Sequence, residues 1–416
     1  MRDIQLTDAQ WAAVKAIVDW YRTPERQRKP VFYLAGFAGA GKSTIFKVAL
    51  EEIQRYGCKS YAIATFTGKA ASVLRKKGNE TAQTIHSLIY IPEGDADEAE
   101  VPTEGFAPAG GLFGGEPPAP RAKRAHDDLQ FALNLMGPAS QVDLIALDEC
   151  SMVDDVMGQD VLAFGKPVLV MGDPGQLPPV KQDGLGFFTR GTPDVMLTEV
   201  HRQALESPIL RLATLARSGE AIPWVDLGAA RVLKLNRANE HLVLRPDTQV
   251  ICGVHRVRKE VTRRIRHARG FAGEPMAGET IICGKNNRDR KLFNGLQGVL
   301  TSAPEPYQRV DGDDSIMSEL VDLEVHMDDH ANPLACTAHP WMFADDRGLE
   351  VEQPRMKRGI EWFGFGYVLT CHKSQGSEWD DVTVVDDSGS FNDQRHRWLY
   401  TAITRAADRL TILRRA

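Results

Sequence analysis

Residues 34–44 read LAGFAGAGKST. Within them, Gly36-x-x-x-x-Gly41-Lys42-Ser43 has the spacing of a loop whose backbone N–H groups wrap a chain of phosphates. Glycine serves here because it lets the backbone approach an anion closely. Gly36, Phe37, Ala38, Gly39, Ala40 and Gly41 form the expected cradle, with Thr44 just beyond it. Lys42 is placed to reach the β- and γ-phosphates of ATP, and the Ser43 hydroxyl to ligate Mg2+. A chance glycine-rich turn would lack the flanks found here. The apolar run PVFYLA precedes the loop and the helix-like run STIFKVALEEI follows it. Strand, loop and helix in that order predict an α/β fold with a nucleotide site.

The same rhythm recurs outward along the chain. YAIATF precedes TGKAA, VDLIAL precedes DECS, and KPVLVM precedes GDPGQLPP. TQVICG, YVLTCH, VTVV and LTIL follow later. Short runs rich in Val, Ile and Leu, separated by helix-length segments, predict parallel strands buried on both faces. Polar motifs just after such strands lie at the carboxyl edge of the sheet, where open α/β sheets bind ligands.

Three of those motifs suit phosphoryl chemistry. Asp148 ends a predicted strand, where a carboxylate holds the Mg2+ shell, and Glu149 beside it suits a general base acting on water. The Gln176 amide, donor and acceptor at once, suits sensing a γ-phosphate or orienting water. Positive charge must also meet the transferred group. Arg202 in EVHRQ and Arg405 in YTAITRA are the candidates.

Composition bounds the rest. The 416 residues suit two or three domains, and 43% hydrophobic with 25% charged residues is the composition of a globular protein. A net charge of -6 excludes a protein that coats nucleic acid through bulk charge, so any such binding needs a local groove. The six cysteines form no C-x-x-C pair and read as reduced core thiols. His326, His330, Cys336 and His339 fit no standard zinc spacing. No apolar run reaches membrane-spanning length and the start carries no signal-peptide core, so a cytoplasmic protein is expected.

Two stretches break the rhythm. From Pro102 to Pro120, ten of nineteen residues are Gly or Pro, which predicts an exposed insertion. Between 301 and 360, LVDLEVHMDD alternates apolar and polar residues, which predicts a strand of an antiparallel sheet with one buried face. The run from His255 to Gly270 holds seven Lys or Arg and one Glu. As a helix it would be either a solvated face or part of a nucleic-acid path through Arg256, Arg258, Arg263 and Arg264.

Taken in order, these motifs resemble those of superfamily 1 helicases of the 5′-to-3′ class, the RecD-like and phage Dda-like group. LTDAQ resembles the Q motif, GFAGAGKST motif I, TGKAA motif Ia, and TIHSLI the segment after it. DECS resembles motif II, GDPGQLPPV motif III, EVHRQ motif IV, LTCHKSQGSEWDDV motif V and YTAITRA motif VI. The resemblance covers nearly the whole chain; one departure is His255, where relatives usually carry Asn. It implies two RecA-like domains, 1–88 plus 140–197 and 198–300 plus 361–416, with ATP between them. It further implies a strand-separating 1B insertion at 89–139, and an SH3-like β insertion, 2B, at 301–360. By the match, Gln10 reads adenine and Glu378 contacts the nucleotide. Arg202 and Arg405 reach across as arginine fingers. Thr67, Lys69, His86, Thr370, His372 and Ser374 face a single strand of DNA.

The implied activity is ATP-driven movement along single-stranded DNA and unwinding at duplex junctions, by a monomer, in replication, recombination or repair. Its implied partners are single-strand-binding, replication or recombination proteins, with no membrane. Three readings stay open on the residues alone: an RNA-acting relative, a P-loop assembly ATPase without unwinding, and a binding module with a decayed site. Intact Lys42, Asp148, Glu149 and Arg405 argue against the last.

Overall fold

A computed structural model describes residues 6–92, 131–179, 185–198, 207–287, 290–306, 320–338, 343 and 360–415. Arg202, the rest of EVHRQ and the stretch Pro102–Pro120, with its Phe106, Leu112 and Phe113, lie outside them.

The first half supplies β1 (Val31–Gly36), β2 (Tyr61–Thr65), β3 (Gln83–Thr84), β4 (Tyr90–Pro92), β5 (Phe131–Leu133), β6 (Leu144–Asp148), β7 (Val168–Gly172) and β8 (Val195–Leu197). Six of these form a parallel sheet in the order β3-β2-β6-β7-β1-β8. β4 and β5 pair antiparallel as a separate ribbon, across which the chain leaves for residues 93–130 and returns. Every residue of β1 and β7 is buried, as a sheet covered on both faces requires. Helices α1 (Asp8–Arg22) and α2 (Lys42–Arg55) cover one face, where Ile17, Leu34, Ile45 and Ile53 share a core. Helices α3 (Gly68–Lys76), α4 (Ile85–Ile89) and α5 (Asp155–Leu162) complete this half.

After α6 (Pro208–Ser218) the chain forms β9 (Val225–Asp226), β10 (Ala230–Lys234), β11 (Gln249–Cys252) and α7 (His255–Ala268). It then runs through β12 (Thr280–Cys283), β13 (Gln297–Leu300), β14 (Glu305–Pro306), β15 (Val321–Met327), β16 (Leu334–Ala338), β17 (Ile360–Glu361) and β18 (Phe363–Phe365). β19 (Val368–Thr370), α8 (Cys371–Ser374), β20 (Trp379–Asp386), α9 (Arg395–Ile403) and β21 (Ala406–Arg414) close it. A second sheet runs β19-β11-β20-β21-β10-β9, parallel except at β9.

β12 to β18 form a third sheet, antiparallel except where β16 meets β17. In β15, Leu323, Val325 and Met327 are buried while Glu324 and His326 are exposed, the alternation that the sequence predicted. The sheet is wider than the 301–360 span expected from sequence. It begins at Thr280 and ends at Phe365, because β12 pairs with β13 on one side and β18 on the other. One continuous core, with Ile265, Ile281, Val325 and Phe363, joins it to the second sheet and α7. The six cysteines are buried and divided among four cores. Among the described residues no helix is long and apolar enough to cross a membrane.

Candidate active site

β1 ends at Gly36, and the loop turns through Gly39 and Gly41, both left-handed at φ 80 and 78. A side chain at either position would strain the turn. Gly41 is also the N-cap of α2 and offers no capping side chain, so the first turn of α2 keeps its N–H groups for an anion. Gln10 belongs to the capping box of α1, and its Nε2 donates to the Ala40 carbonyl at 3.3 Å. The loop is thus steadied from behind by α1. Lys42 Nζ donates to the Phe37 carbonyl at 3.0 Å and lies 3.9 Å from Asp173 Oδ2.

β6 and β7 bring the second and third motifs to the same edge, since β7 lies directly between β6 and β1. Asp148 accepts from the Glu149 N–H at 2.7 Å. Burial, and then the neighbouring Glu149 carboxylate, push the Asp148 carboxyl up to about 7. Lys42 offsets part of that rise. Glu149 itself adopts a left-handed backbone, φ 53 and ψ 42, which a residue with a Cβ rarely takes. Beyond β7, Asp173 Oδ1 accepts from the Gly175 N–H at 2.9 Å. Gln176 is 5% exposed, and its Oε1 has no hydrogen-bond partner among the described residues.

The second parallel sheet closes on this edge through α6, α8 and α9. The Arg217 guanidinium stacks on the Phe37 ring at 3.3 Å from its centroid. The Tyr400 hydroxyl accepts from the Ala38 N–H at 2.8 Å and donates to Asp173 Oδ2 at 2.6 Å. Arg397 donates to the carbonyls of Pro174 and Gln176. Thr401 Oγ1 accepts from the Leu177 N–H, and Gln375 Nε2 donates to the Leu177 carbonyl, each at 2.9 Å. Leu177 is fully buried in the core of the other half, beside Trp398 and Leu399. Burying such a side chain contributes about 2 kcal/mol to holding the halves together.

Of the two candidate fingers, Arg405 is 5% exposed and spent locally. Its guanidinium donates to the carbonyls of Thr401 and Ser377 and to the Thr404 hydroxyl. Glu378 lies exposed between Ser377 and β20. Among the described residues, Arg217, Gln375, Arg397, Tyr400 and Thr401 reach the phosphate loop or motif III from the second half through polar or ring contacts. Sequence reasoning missed their contacts. Gln375, Tyr400 and Thr401 stood inside quoted motifs, but spacing alone does not say which neighbour touches which.

The residues expected to face a strand divide in two. Thr67 caps α3 through the Ala70 N–H, Thr370 caps α8 through the Lys373 N–H, and Ser374 is buried against the Cys371 carbonyl. Lys69 Nζ is 3.4 Å from Asp328 Oδ2 in the turn after β15. The His86 ring lies tilted against Tyr90, and the His372 ring against Phe391, with burial pulling the His372 imidazole below its ordinary value. The α3 and α8 groups meet at Gly376, where a Cβ would lie 2.8 Å from Ala70 Cβ and 3.0 Å from Thr67 Oγ1.

Comparison with known proteins places this geometry. A sequence model of the AAA domain matches residues 5–234, and one of the UvrD-like helicase C-terminal domain matches residues 365–413. The ATP-dependent RecD2 DNA helicase of Deinococcus radiodurans is 28% identical over 400 residues, covering 90% of this chain and 46% of that protein. The RecBCD enzyme subunit RecD of Mycolicibacterium smegmatis is 26% identical over 316 residues, covering 65% of this chain and 50% of that protein. The chain thus spans about half the length of the curated relatives it matches. A crystal structure of Bacteroides Pif1 helicase with ADP-AlF3 and single-stranded DNA superposes with a TM-score of 0.53 at 16% identity, covering 100% of this chain and 93% of that one. The likeness shows the two-domain RecA-like fold. The AAA domain model covers more than half of the chain, which therefore belongs to the AAA-domain family, and the UvrD-like helicase C-terminal match behind it and the RecD relatives make it similar to the RecD-type helicases of superfamily 1.

Proposed function

We propose that the chain is an ATP-dependent DNA motor that moves 5′-to-3′ on a single strand and separates duplex ahead of it. The observation that carries this reading is the seam. A helix of the second parallel sheet is hydrogen-bonded to the phosphate loop and to motif III of the first, so nucleotide chemistry and relative movement of the sheets are mechanically one. One relative described as a DNA helicase, and a fold neighbour holding single-stranded DNA, support DNA as the track.

In this scheme the sheet of the first half and the second parallel sheet are the cores of the two RecA-like domains, 1–88 plus 140–197 and 198–300 plus 361–416, the second of which lends Thr280–Cys283, Gln297–Leu300 and Phe363–Phe365 to the antiparallel sheet. Residues 89–139 form the 1B insertion. The antiparallel sheet grown around 301–360 is the 2B module. Gln10 holds the loop and adenine, Lys42 binds phosphate, and Glu149 takes the proton of the attacking water. Gln176, with its unpartnered buried oxygen, orients that water. Arg202 supplies positive charge once the seam tightens, and Arg405 joins it only by releasing the Thr401, Ser377 and Thr404 oxygens that hold its guanidinium here. Ser43 and Asp148 offer two oxygen donors, which suits Mg2+, a cation that keeps several of its waters. The raised Asp148 carboxyl fits, since a cation beside it restores its charge. Bound there, Mg2+ neutralises charge on the phosphates. Thr67, Lys69, His86, Thr370, His372 and Ser374 lie on the elements that would line the track.

Unwinding of duplexes with a 5′ or a 3′ single-stranded tail tests the reading. Displacement from the 5′-tailed duplex alone is expected. Lys42→Ala should abolish turnover. Glu149→Gln should bind ATP and lose about 10²–10⁴-fold in rate. ATP hydrolysis with no displacement on either duplex would make the protein an assembly ATPase. Equal stimulation by matched RNA would remove DNA as the track.

A further inference from the structure

Tyr400 lies on α9 and is 2% exposed. Its ring fills space against Gly175, where a Cβ would come within 3.0 Å of Tyr400 Cε1. Phenylalanine would fill that space equally well. What the phenol adds is its hydroxyl, and the hydroxyl joins two parts of the nucleotide site. It accepts from the Ala38 N–H, inside the phosphate loop, and donates to Asp173 Oδ2. That same carboxylate oxygen is 3.9 Å from Lys42 Nζ. Lys42 in turn donates to the carbonyl of Phe37, the residue before Ala38. A closed ring results: amide, phenol, carboxylate, ammonium, carbonyl. Four of its members belong to the first half and one to the second.

The surroundings hold that one member rigidly. Arg397, one turn earlier on α9, grips the carbonyls of Pro174 and Gln176. Thr401 holds the Leu177 N–H. Asp173 and Leu177 therefore stand at the two ends of a segment pinned along α9. Burial, and then the Asp173 carboxylate, raise the Tyr400 phenol, so the hydroxyl keeps the proton that it donates.

Resting on the ATPase reading above, we propose that Tyr400 is a positioning residue for hydrolysis. Its hydroxyl fixes the Ala38 amide and the Asp173 carboxylate against Lys42. A shift of the second parallel sheet along a strand then alters the donor geometry of the phosphate loop. Tyr400 moves no proton in the reaction; it acts through Ala38 and Asp173.

The test compares the full chain with Tyr400→Phe and with Thr401→Val, which loses a different seam hydrogen bond. ATP hydrolysis is measured with and without an oligothymidine strand, alongside binding of a fluorescent ATP analogue and thermal melting. In Tyr400→Phe the strand-stimulated kcat should fall about tenfold or more, the usual scale for losing a hydrogen bond to a charged group. The KM for ATP should change far less, and the strand-to-basal ratio should shrink. Thr401→Val should keep that ratio. A Tyr400→Phe protein with parental stimulated kcat overturns the proposal. So does an equal loss in both variants, which would mean that any weakening of the seam suffices. A parent chain that neither binds the analogue nor hydrolyses ATP overturns the functional reading, and the proposal with it. A parent that hydrolyses ATP while Tyr400→Phe matches it overturns the proposal alone.

Discussion

Two adjacent carboxylates at the end of β6 carry opposite kinds of tension. Glu149 has a left-handed backbone, a conformation that costs about 1–3 kcal/mol for a residue with a side chain and persists where the surroundings impose it. Asp148 keeps its backbone regular but holds its proton too long, pushed up to about 7 by burial and by Glu149. A carboxyl raised on folding stabilises the fold fully only below its ordinary pKa, near 4, and that contribution is lost as pH rises through about 7. In chelator, without nucleotide, Asp148→Asn should therefore melt above the parent by about 2–6 °C at pH 8. The gap should close toward pH 5. Differential scanning at the two pH values checks it, and an equal gap at both would show that Asp148 is not the titrating group. Adding Mg2+ and a nonhydrolysable ATP analogue should reverse the order, since only the parent keeps the carboxylate.

Helix α7 is the basic run of the sequence, and its charges are largely answered within the fold. Glu260 pairs with Arg263 and Arg264, Arg264 also meets Glu240, and Arg266 is held by the fully buried Glu279. These pairs favour a solvated helix face over a nucleic-acid path for Arg263 and Arg264. Replacing both with Gln should leave the salt dependence of single-strand binding unchanged, whereas each true phosphate contact would flatten the slope by about one unit. Titration of a labelled strand at several salt concentrations decides. The helix forms because Val257, Val261 and Ile265 recur at helical spacing and turn one face onto the core. Its partners were not legible in the sequence, because Glu240 and Glu279 come from elsewhere in the chain. The long buried strands were legible from their apolar runs. β12 and β13 were not, because neither TIIC nor QGVL shows the apolar–polar alternation that marked β15. That is why the antiparallel sheet was expected to be narrower than it is.

At the scale of the molecule, what sequence could not show is how the parts touch. The P-loop, DECS and GDPGQ were expected at one sheet edge. Tyr400 on Ala38 joins residues 362 apart in sequence, beyond any local pattern. The same holds where the turn after β15 meets α3: Asp328 pairs with Lys69, and Asp329 with Lys76 and Ser72. These carboxylates occupy a lysine that the family resemblance assigns to the strand. Replacing Asp328 and Asp329 with Asn should tighten single-strand binding about three- to tenfold at low salt, the scale of one or two partly exposed ion pairs. Half-molar salt should erase the gain, and fluorescence anisotropy measures both. The buried cysteines carry a separate consequence. Cys58, Cys150 and Cys371 sit in three cores, and Cys252, Cys283 and Cys336 share the fourth. Burial pushes the Cys283 and Cys336 thiols up to about 12, and alkylating reagents attack the thiolate. A closed core is thus chemically silent, and an opened one is not. Rates of alkylation at the six positions would time the breathing of each core separately, in the native chain and with no added probe.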